Sequence, residues 1–319
     1  MRVLFAGLAS AGHTYPMVPL AVAARDAGHE VHFAAGEHVH APLSRLGLRP
    51  FRPADAFYEI YAEDLEPELT RLRPDLVVHG WGVPEAAIAA RRAGIPALWH
   101  GFGRMFPEGI GLDRPAGGAH LDICPPSVQD EPFLTTAERL PLRPVPYSEP
   151  GHFEWPSRPL IYLTLGTAFG TPEVLTTAIR GLSALDAHVV VATGRVRPAD
   201  LGSVPGNVTL HSWVPQAQLV PRVSAVVHHG GSGTTLGALA AGVPQLVLPQ
   251  GADQFANADA LVAAGAALRL LPDELSADAV TEQARKLPAH REAARAIAEE
   301  IAGLPSPDEV ARELPKYAK

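Results

Sequence analysis

Residues 226–237 read Val226-Val227-His228-His229-Gly230-Gly231-Ser232-Gly233-Thr234-Thr235-Leu236-Gly237, and this stretch decides the fold. An apolar run without polar alternation passes into a glycine-rich turn and then into an Ala/Leu-rich segment stopped by Gly242. Unalternating apolar strands are buried on both faces, as in a parallel sheet whose crossovers are helices. Such a turn leaves backbone N–H groups free at a helix start, where the dipole favours an anion and glycine lets a phosphate approach. It is not a Walker A loop, because no Gly-Lys-Ser/Thr follows, and its third glycine falls one residue late for GxGxxG. Thr234 stands where a GxSxG elbow around Ser232 needs its last glycine. A tight βα turn with threonine as helix cap fits the glycines equally well. The two histidines favour the anion site, since an imidazole beside a phosphate is a charge-assisted donor.

Outward from this stretch the same rhythm recurs. In the first third, Val3 to Gly7, Val31 to Ala35, Leu76 to His79 and Ile95 to Trp99 read as strands. Helices are expected from Pro16 to Ala27, His38 to Leu46 and Pro84 to Ala93, the first stopped by Gly28 and the second by Gly47. The proline-rich stretch Leu140 to Pro159 breaks the pattern and reads as a linker. Strands then return at Leu160 to Leu165, Val189 to Ala192, Val208 to His211, Ala225 to His228 and Gln245 to Leu248, and the chain closes in helices. The expected architecture is α/β, with two facing doubly wound parallel-sheet domains and the ligand at the carboxyl ends of both sets of strands. The expected boundaries are an N-terminal domain 1–147, a linker 148–159, a second domain 160–304, and a C-terminal helix 305–319 returning to the first domain.

Composition narrows the function classes. The 319 residues carry a net charge of −8, and no Lys/Arg run is longer than Arg91-Arg92, which weighs against nucleic-acid and acidic-membrane partners. The single cysteine, Cys124, excludes an intramolecular disulfide framework and a zinc ribbon. No apolar run approaches the roughly 18–20 residues of a membrane span. Val3 to Ala11 reads as a buried first strand instead of a secretory leader, so the protein is expected in the cytoplasm.

Several other loops hold candidate residues. Asp253 and Gln254 follow a strand and open a helix; they suit vicinal hydroxyls, although an Asp there is more often an N-cap. Trp213, after another strand, fills a core or stacks on a flat base. Gly166-Thr167 ends the first strand of the second domain. His13, in Gly12-His13-Thr14-Tyr15-Pro16, ends the first strand of the chain; it suits a general base on an alcohol, or a helix cap. Metal readings are poor: His38 and His40 would splay apart, and HExxH, CxxC and Asp-x-Asp are all absent. A nucleotide diphosphate would then be neutralised by helix dipole and side chains, without metal.

Together these stretches resemble the GT-B glycosyltransferases of family 1, specifically the bacterial enzymes that glycosylate antibiotics. The carriers are SWVPQ (212–216), LTLGT (163–167), HHGGSGTTLGALAAGVPQLVLPQGADQFANA (228–258) and GHTYPMVPLA (12–21). The segment His120 to Ser127 and the tail Asp308-Glu309-Val310 look most like the calicheamicin (enediyne) members. The resemblance implies that His13 deprotonates the acceptor hydroxyl, and that His229 with Gly231, Ser232, Gly233 and Thr234 holds the diphosphate. It implies further that Trp213, Val214 and Gln216 meet the nucleoside, with thymine or uracil as base. Thr167 would lie near the donor phosphates, and Asp253 and Gln254 would hold the sugar. Two departures stand out. Where the family carries an acidic partner for the histidine this chain has His79-Gly80-Trp81, with Glu85 a substitute or a helix-start residue. The chain is also short around Phe57 to Glu68 and Arg104 to Ala119, where the family has long acceptor loops.

The expected function is an inverting, metal-independent transfer of a deoxysugar from a TDP-sugar to a hydroxyl of a hydrophobic, enediyne-like antibiotic aglycone, with no cofactor. A second copy of the chain stays open as a partner. The alternatives are a non-catalytic helper protein that retains the donor fold and a nucleotide-sugar epimerase.

Overall fold

The computed structural model describes residues 1–52, 62–105, 118–154, 156, 159–167 and 170–318. The chain divides into two compact units, the first Met1–Tyr147 with Gly303–Lys319, the second Ser148–Ala302. Unit 1 holds β1 (Arg2–Ala6), β2 (Glu30–Ala34), β3 (Arg49–Phe51), β4 (Leu76–Gly80), β5 (Ala97–His100), β6 (His120–Asp122) and β7 (Arg139–Pro141). They are ordered β3-β2-β1-β4-β5-β6-β7, and every pair is parallel. Unit 2 holds β8 (Leu160–Thr164), β9 (His188–Ala192), β10 (Val208–His211), β11 (Ala225–His228), β12 (Gln245–Val247) and β13 (Ala267–Arg269). Their order is β10-β9-β8-β11-β12-β13, again all parallel. Both orders are doubly wound: the chain works outward one way from the centre, then the other. A crevice is left at the carboxyl ends of the two central strands. Those strands are β1 and β4 in unit 1, and β8 and β11 in unit 2.

The central strands are buried along their length because helices cover both faces. In β8 and β11 every residue is buried, and on one face Leu163, Val189, Val191, Val227 and Leu246 form a solvent-free core. Burial of each such side chain stabilises the fold by about 1.5–3 kcal/mol. Gly181, inside the helix Pro172–Ser183, allows the helix Ala277–Lys286 to pack unusually close: a Cβ there would lie 2.5 Å from the Ala277 carbonyl.

The structure corrects the sequence reading in three places. Strands β3, β6, β7 and β13 were not expected; at three residues each they are too short to show a period. Leu140 does not open a linker, because Arg139–Pro141 pairs with β6 and Leu142 N–H donates to the Asp122 carbonyl at 2.9 Å. Proline is tolerated in β3 (Pro50) and β7 (Pro141) because both are edge strands, where a missing N–H costs no ladder partner. Helical structure after β1 also begins at Ala11, not Pro16, because the Ser10 side chain caps it by accepting from His13 N–H.

Residues 303–318 belong to unit 1. The helix Pro307–Glu313 opens with a capping box between Ser306 and Glu309 and packs on the helix Val18–Asp26. The Arg143 guanidinium donates twice to the Leu304 carbonyl, at 3.0 and 2.9 Å. Among the described residues no helix is long and apolar enough to cross a membrane.

Candidate functional site

At the crevice of unit 2, β11 delivers His228 and His229 to a turn at Gly230, and the helix Ser232–Ala240 follows. The two histidines have separate tasks. His228 is fully buried; its Nδ1 accepts from Gly230 N–H (3.1 Å), so Nε2 carries the proton and donates to Gln245 Oε1 (2.8 Å). Burial holds it down to about 3, and it remains a neutral fastener for the turn. His229 lies between two glycines. A Cβ at Gly166 would come within 2.7 Å of its ring, and one at Gly231 within 2.4 Å of Nε2. Glycine at both positions is what makes room for the imidazole. Burial lowers its pKa to about 4 against the opposing pull of the Thr164 backbone, so it is a neutral imidazole at pH 7.

The helix that follows has no side-chain cap: Gly231 is its N-cap residue and makes no capping bond. Threonine is therefore not the cap, which removes the simplest alternative to an anion site. Its first backbone donation within the helix is from Thr235 N–H to the Gly231 carbonyl, leaving the earlier amides pointing out of the helix start. By contrast, Thr171, Ser276 and Ser306 all cap their helices with their side chains. Ser232 instead turns its hydroxyl to Asp253 Oδ2 (3.2 Å), and Thr234 turns its own to Gln216 Oε1 (3.4 Å). Gly233 is exposed, with open space where a side chain would stand.

Asp253 occupies the N-cap position of the helix Gln254–Ala263, but its carboxylate does not cap it. Oδ2 accepts from Ser232 and from Asn257 Nδ2 (2.8 Å), and the same Asn257 amide donates to the Gly230 carbonyl (2.9 Å). Burial raises the Asp253 pKa, and these donors pull it back. Gln254 is buried and closes its own loop, its Oε1 accepting from Gln250 and Gly251 N–H (2.8 and 3.2 Å). Trp213 is 49% exposed, with Gly151 against one side of the indole, where a Cβ would lie 3.0 Å from Cζ3. The Val214 side chain is core, packed with Leu160 and Tyr162, so only its backbone is left for a ligand. Thr167 is exposed after Gly166, whose φ of +68° turns the chain at the end of β8.

Unit 1 offers less polar material. His13 sits in the helical turn Ala11–Thr14 at the end of β1; because Ser10 is the cap, His13 is not. Its ring stacks on Phe102 (4.4 Å between centroids, 14° apart), and its Nδ1 lies beside Gly82, where a Cβ would be 3.4 Å away. Among the described residues no side chain hydrogen-bonds the ring. Burial lowers its pKa to about 4. Gly80 faces elsewhere: a Cβ there would meet Met17 Sδ at 3.2 Å and the Ala6 carbonyl at 3.5 Å. Position 80 therefore does not point at His13, and Glu85 lies in the first turn of the helix Glu85–Arg92, the helix-start reading. Of the two acceptor-loop regions, residues 57–61 and 106–117 lie outside the described residues, while 62–68 belong to the helix Ala62–Leu72. The sequence reading missed Phe102, Gly82, Asn257 and Gln245. Of these only Asn257 left a signal, four residues after Asp253 and so on the same helical face.

Comparison with known proteins gives a consistent answer. Residues 176–316 match the family of erythromycin biosynthesis protein CIII-like C-terminal domains. The chain is 32% identical over 383 aligned positions to the elloramycin glycosyltransferase of Streptomyces olivaceus, covering 98% of this chain and 97% of that one. An alignment longer than the 319-residue chain means that the relative carries residues this chain lacks. Among solved structures, the glycosyltransferase VinC in complex with dTDP superposes at a TM-score of 0.85 with 26% identity, covering 100% and 99% of the two chains. The calicheamicin glycosyltransferase CalG4 superposes at 0.81 with 22% identity, covering 99% and 98%, a likeness of fold that several other glycosyltransferases share.

Proposed function

Because the chain belongs to the GT-B family 1 glycosyltransferases of antibiotic biosynthesis, we propose that it moves a deoxysugar from a TDP-sugar to an aglycone hydroxyl with inversion. The observation that carries the donor half is the uncapped helix start at Gly231 beside the glycine-flanked imidazole of His229. A leaving diphosphate gains negative charge as the sugar departs, and preorganised N–H groups are worth most where charge develops. Ser232, Gly233 and Thr234 supply backbone donors, His229 a neutral ring N–H, and Thr167 a hydroxyl. Trp213 stacks on the base, the Val214 backbone and Gln216 meet the nucleoside, and Asp253 and Gln254 receive the sugar hydroxyls. The dTDP in VinC supports thymidine as the nucleoside.

His13 is the base of this mechanism. Held down to about 4, its imidazole is unprotonated at neutral pH. The acceptor oxygen attacks the anomeric carbon while its proton passes to His13; the bond from that carbon to the phosphate oxygen breaks, and its electrons leave on TDP. One displacement inverts the centre. The helix-start amides take the place a metal would hold in neutralising the diphosphate. The acceptor is a hydrophobic antibiotic aglycone. The elloramycin and erythromycin names among its relatives make those acceptor classes candidates beside the enediyne class. The enzyme acts in the cytoplasm on small molecules, with a second copy of itself as the one macromolecular partner the proposal admits. Incubation with TDP-sugars and a panel of such aglycones, read by mass spectrometry, tests it: a sugar adduct is expected, and none with any pair would overturn it.

A further inference from the structure

Four loops of unit 2 carry the donor residues, among them Trp213 to Gln216 after β10 and Gly230 to Thr234 after β11. A buried hydroxyl ties these two together. Tyr162, on β8, is the largest fully buried side chain of the described residues. Its hydroxyl donates to Gln216 Oε1 at 3.1 Å, and the same oxygen accepts from Thr234 Oγ1 at 3.4 Å. Thr164 Oγ1, two residues along the strand, accepts from Gly166 N–H at 3.2 Å. Gln216 Oε1 therefore receives one hydroxyl from the strand and one from the helix start, so both of its lone pairs are used.

We propose that Tyr162 is a positioning residue of the donor site, holding the Gln216 carboxamide so that its oxygen faces inward and its N–H groups face the nucleotide. A glutamine amide is otherwise free to turn over and offer either end. With Oε1 taken by two hydroxyls, only the donor end is left, and no described group accepts from it. Position 216 then selects an acceptor atom on the nucleoside and disfavours a donor there, because a donor opposite a donor leaves both unsatisfied. The inference rests on reading unit 2 as the donor site, and it extends recognition from the loops to a strand residue that no ligand reaches.

The test is calorimetric titration of TDP and of UDP into the full chain, wild type and variants. Tyr162→Phe keeps the ring and removes the hydroxyl. It should weaken nucleotide binding about fivefold, the worth of one net hydrogen bond, and raise the donor KM with kcat nearly unchanged. In a Gln216→Ala background the same change should cost nothing further. Gln216→Glu, which presents no donor outward, should bind more weakly than Gln216→Ala. Unchanged affinity in Tyr162→Phe, or the same fivefold loss with Gln216 already removed, would overturn the inference, the second outcome showing a packing effect. Binding of UDP but not TDP would correct the nucleoside alone and leave the cycle to be read with UDP. Binding of neither by the wild type would overturn the donor reading, and this inference with it.

Discussion

The two units share one strand order and one place for a crevice, yet they furnish it differently. At β8 and β11 the loops are bound to one another through side chains: Ser232 to Asp253, Asp253 to Asn257, Asn257 to Gly230, His228 to Gln245, Thr234 to Gln216. At β1 and β4 the functional candidate among the described residues, His13, stacks on Phe102 and lies beside Gly82. A crosslinked polar crevice suits a ligand whose shape never changes, because its donors are ordered before binding. A histidine placed by apolar contact suits a partner whose shape varies while one hydroxyl is constant. The difference is the one the proposed function asks for, with the nucleotide assigned to unit 2 and the acceptor to unit 1.

Breaking the unit 1 side gives the largest effect. His13→Ala should lower kcat by about 100- to 10,000-fold, the usual worth of a positioned proton transfer, with TDP affinity unchanged. Near-normal turnover in that variant would remove the base and, with it, the functional asymmetry. In the wild type the rate should fall only as pH drops through about 4, where burial leaves His13 to take up its proton. An acidic limb near 6.5 would mean that the ring is solvated in the working enzyme.

Gly80→Asp comes next. A carboxylate at that position would be buried against Met17 and the Ala6 carbonyl without a partner, costing about 3 kcal/mol of stability. Thermal or urea unfolding should show the loss, and the acidic limb should not move. A rise in that limb would show that position 80 reaches His13 after all, and that unit 1 can be crosslinked as unit 2 is.

His229→Ala probes the other crevice more gently. A neutral imidazole donates an ordinary hydrogen bond, so TDP binding should weaken by about 0.5–1.5 kcal/mol, with turnover falling alongside. Titrations in buffers of different ionisation enthalpy should show no proton uptake. A loss of about 1.5–3 kcal/mol with uptake would mean that the diphosphate recharges the ring. The smallest expected effect is none: EDTA should leave TDP affinity where it was, and a collapse would put a metal where the open amides of residues 232–234 are assigned.

The sequence shows unit 2 more fully than unit 1 for a physical reason. Five of its six strands show in the sequence as apolar runs, β13 alone being missed, and most of the residues proposed to meet the ligand sit in glycine-rich turns whose spacing is tied to backbone geometry. Gly166 and Gly231 were legible as glycines of a turn; that they flank His229 was not, since side-chain clearance leaves no periodic trace. The split between His228 and His229 was equally hidden, because it depends on Gln245 from a neighbouring strand. In unit 1, β3, β6 and β7 are too short to register, and His13 reads as a loop residue unless Ser10 is recognised as a helix cap. Counting along the chain puts Gly80 where the partner belongs, whereas the direction of its absent Cβ places it against Met17.

The return of residues 303–318 to unit 1 makes unit 2 an insert within it. On the ribosome, the first unit to be begun is the last to be completed: unit 2 has all its strands while unit 1 still lacks the helix Pro307–Glu313 that lies on Val18–Asp26. The same layout governs recombination between relatives. Exchanging everything after Tyr147 would leave a foreign tail against Val18–Asp26 and Arg143, so a donor unit should transplant as a cassette with two joints, one at 147/148 and one at 302/303.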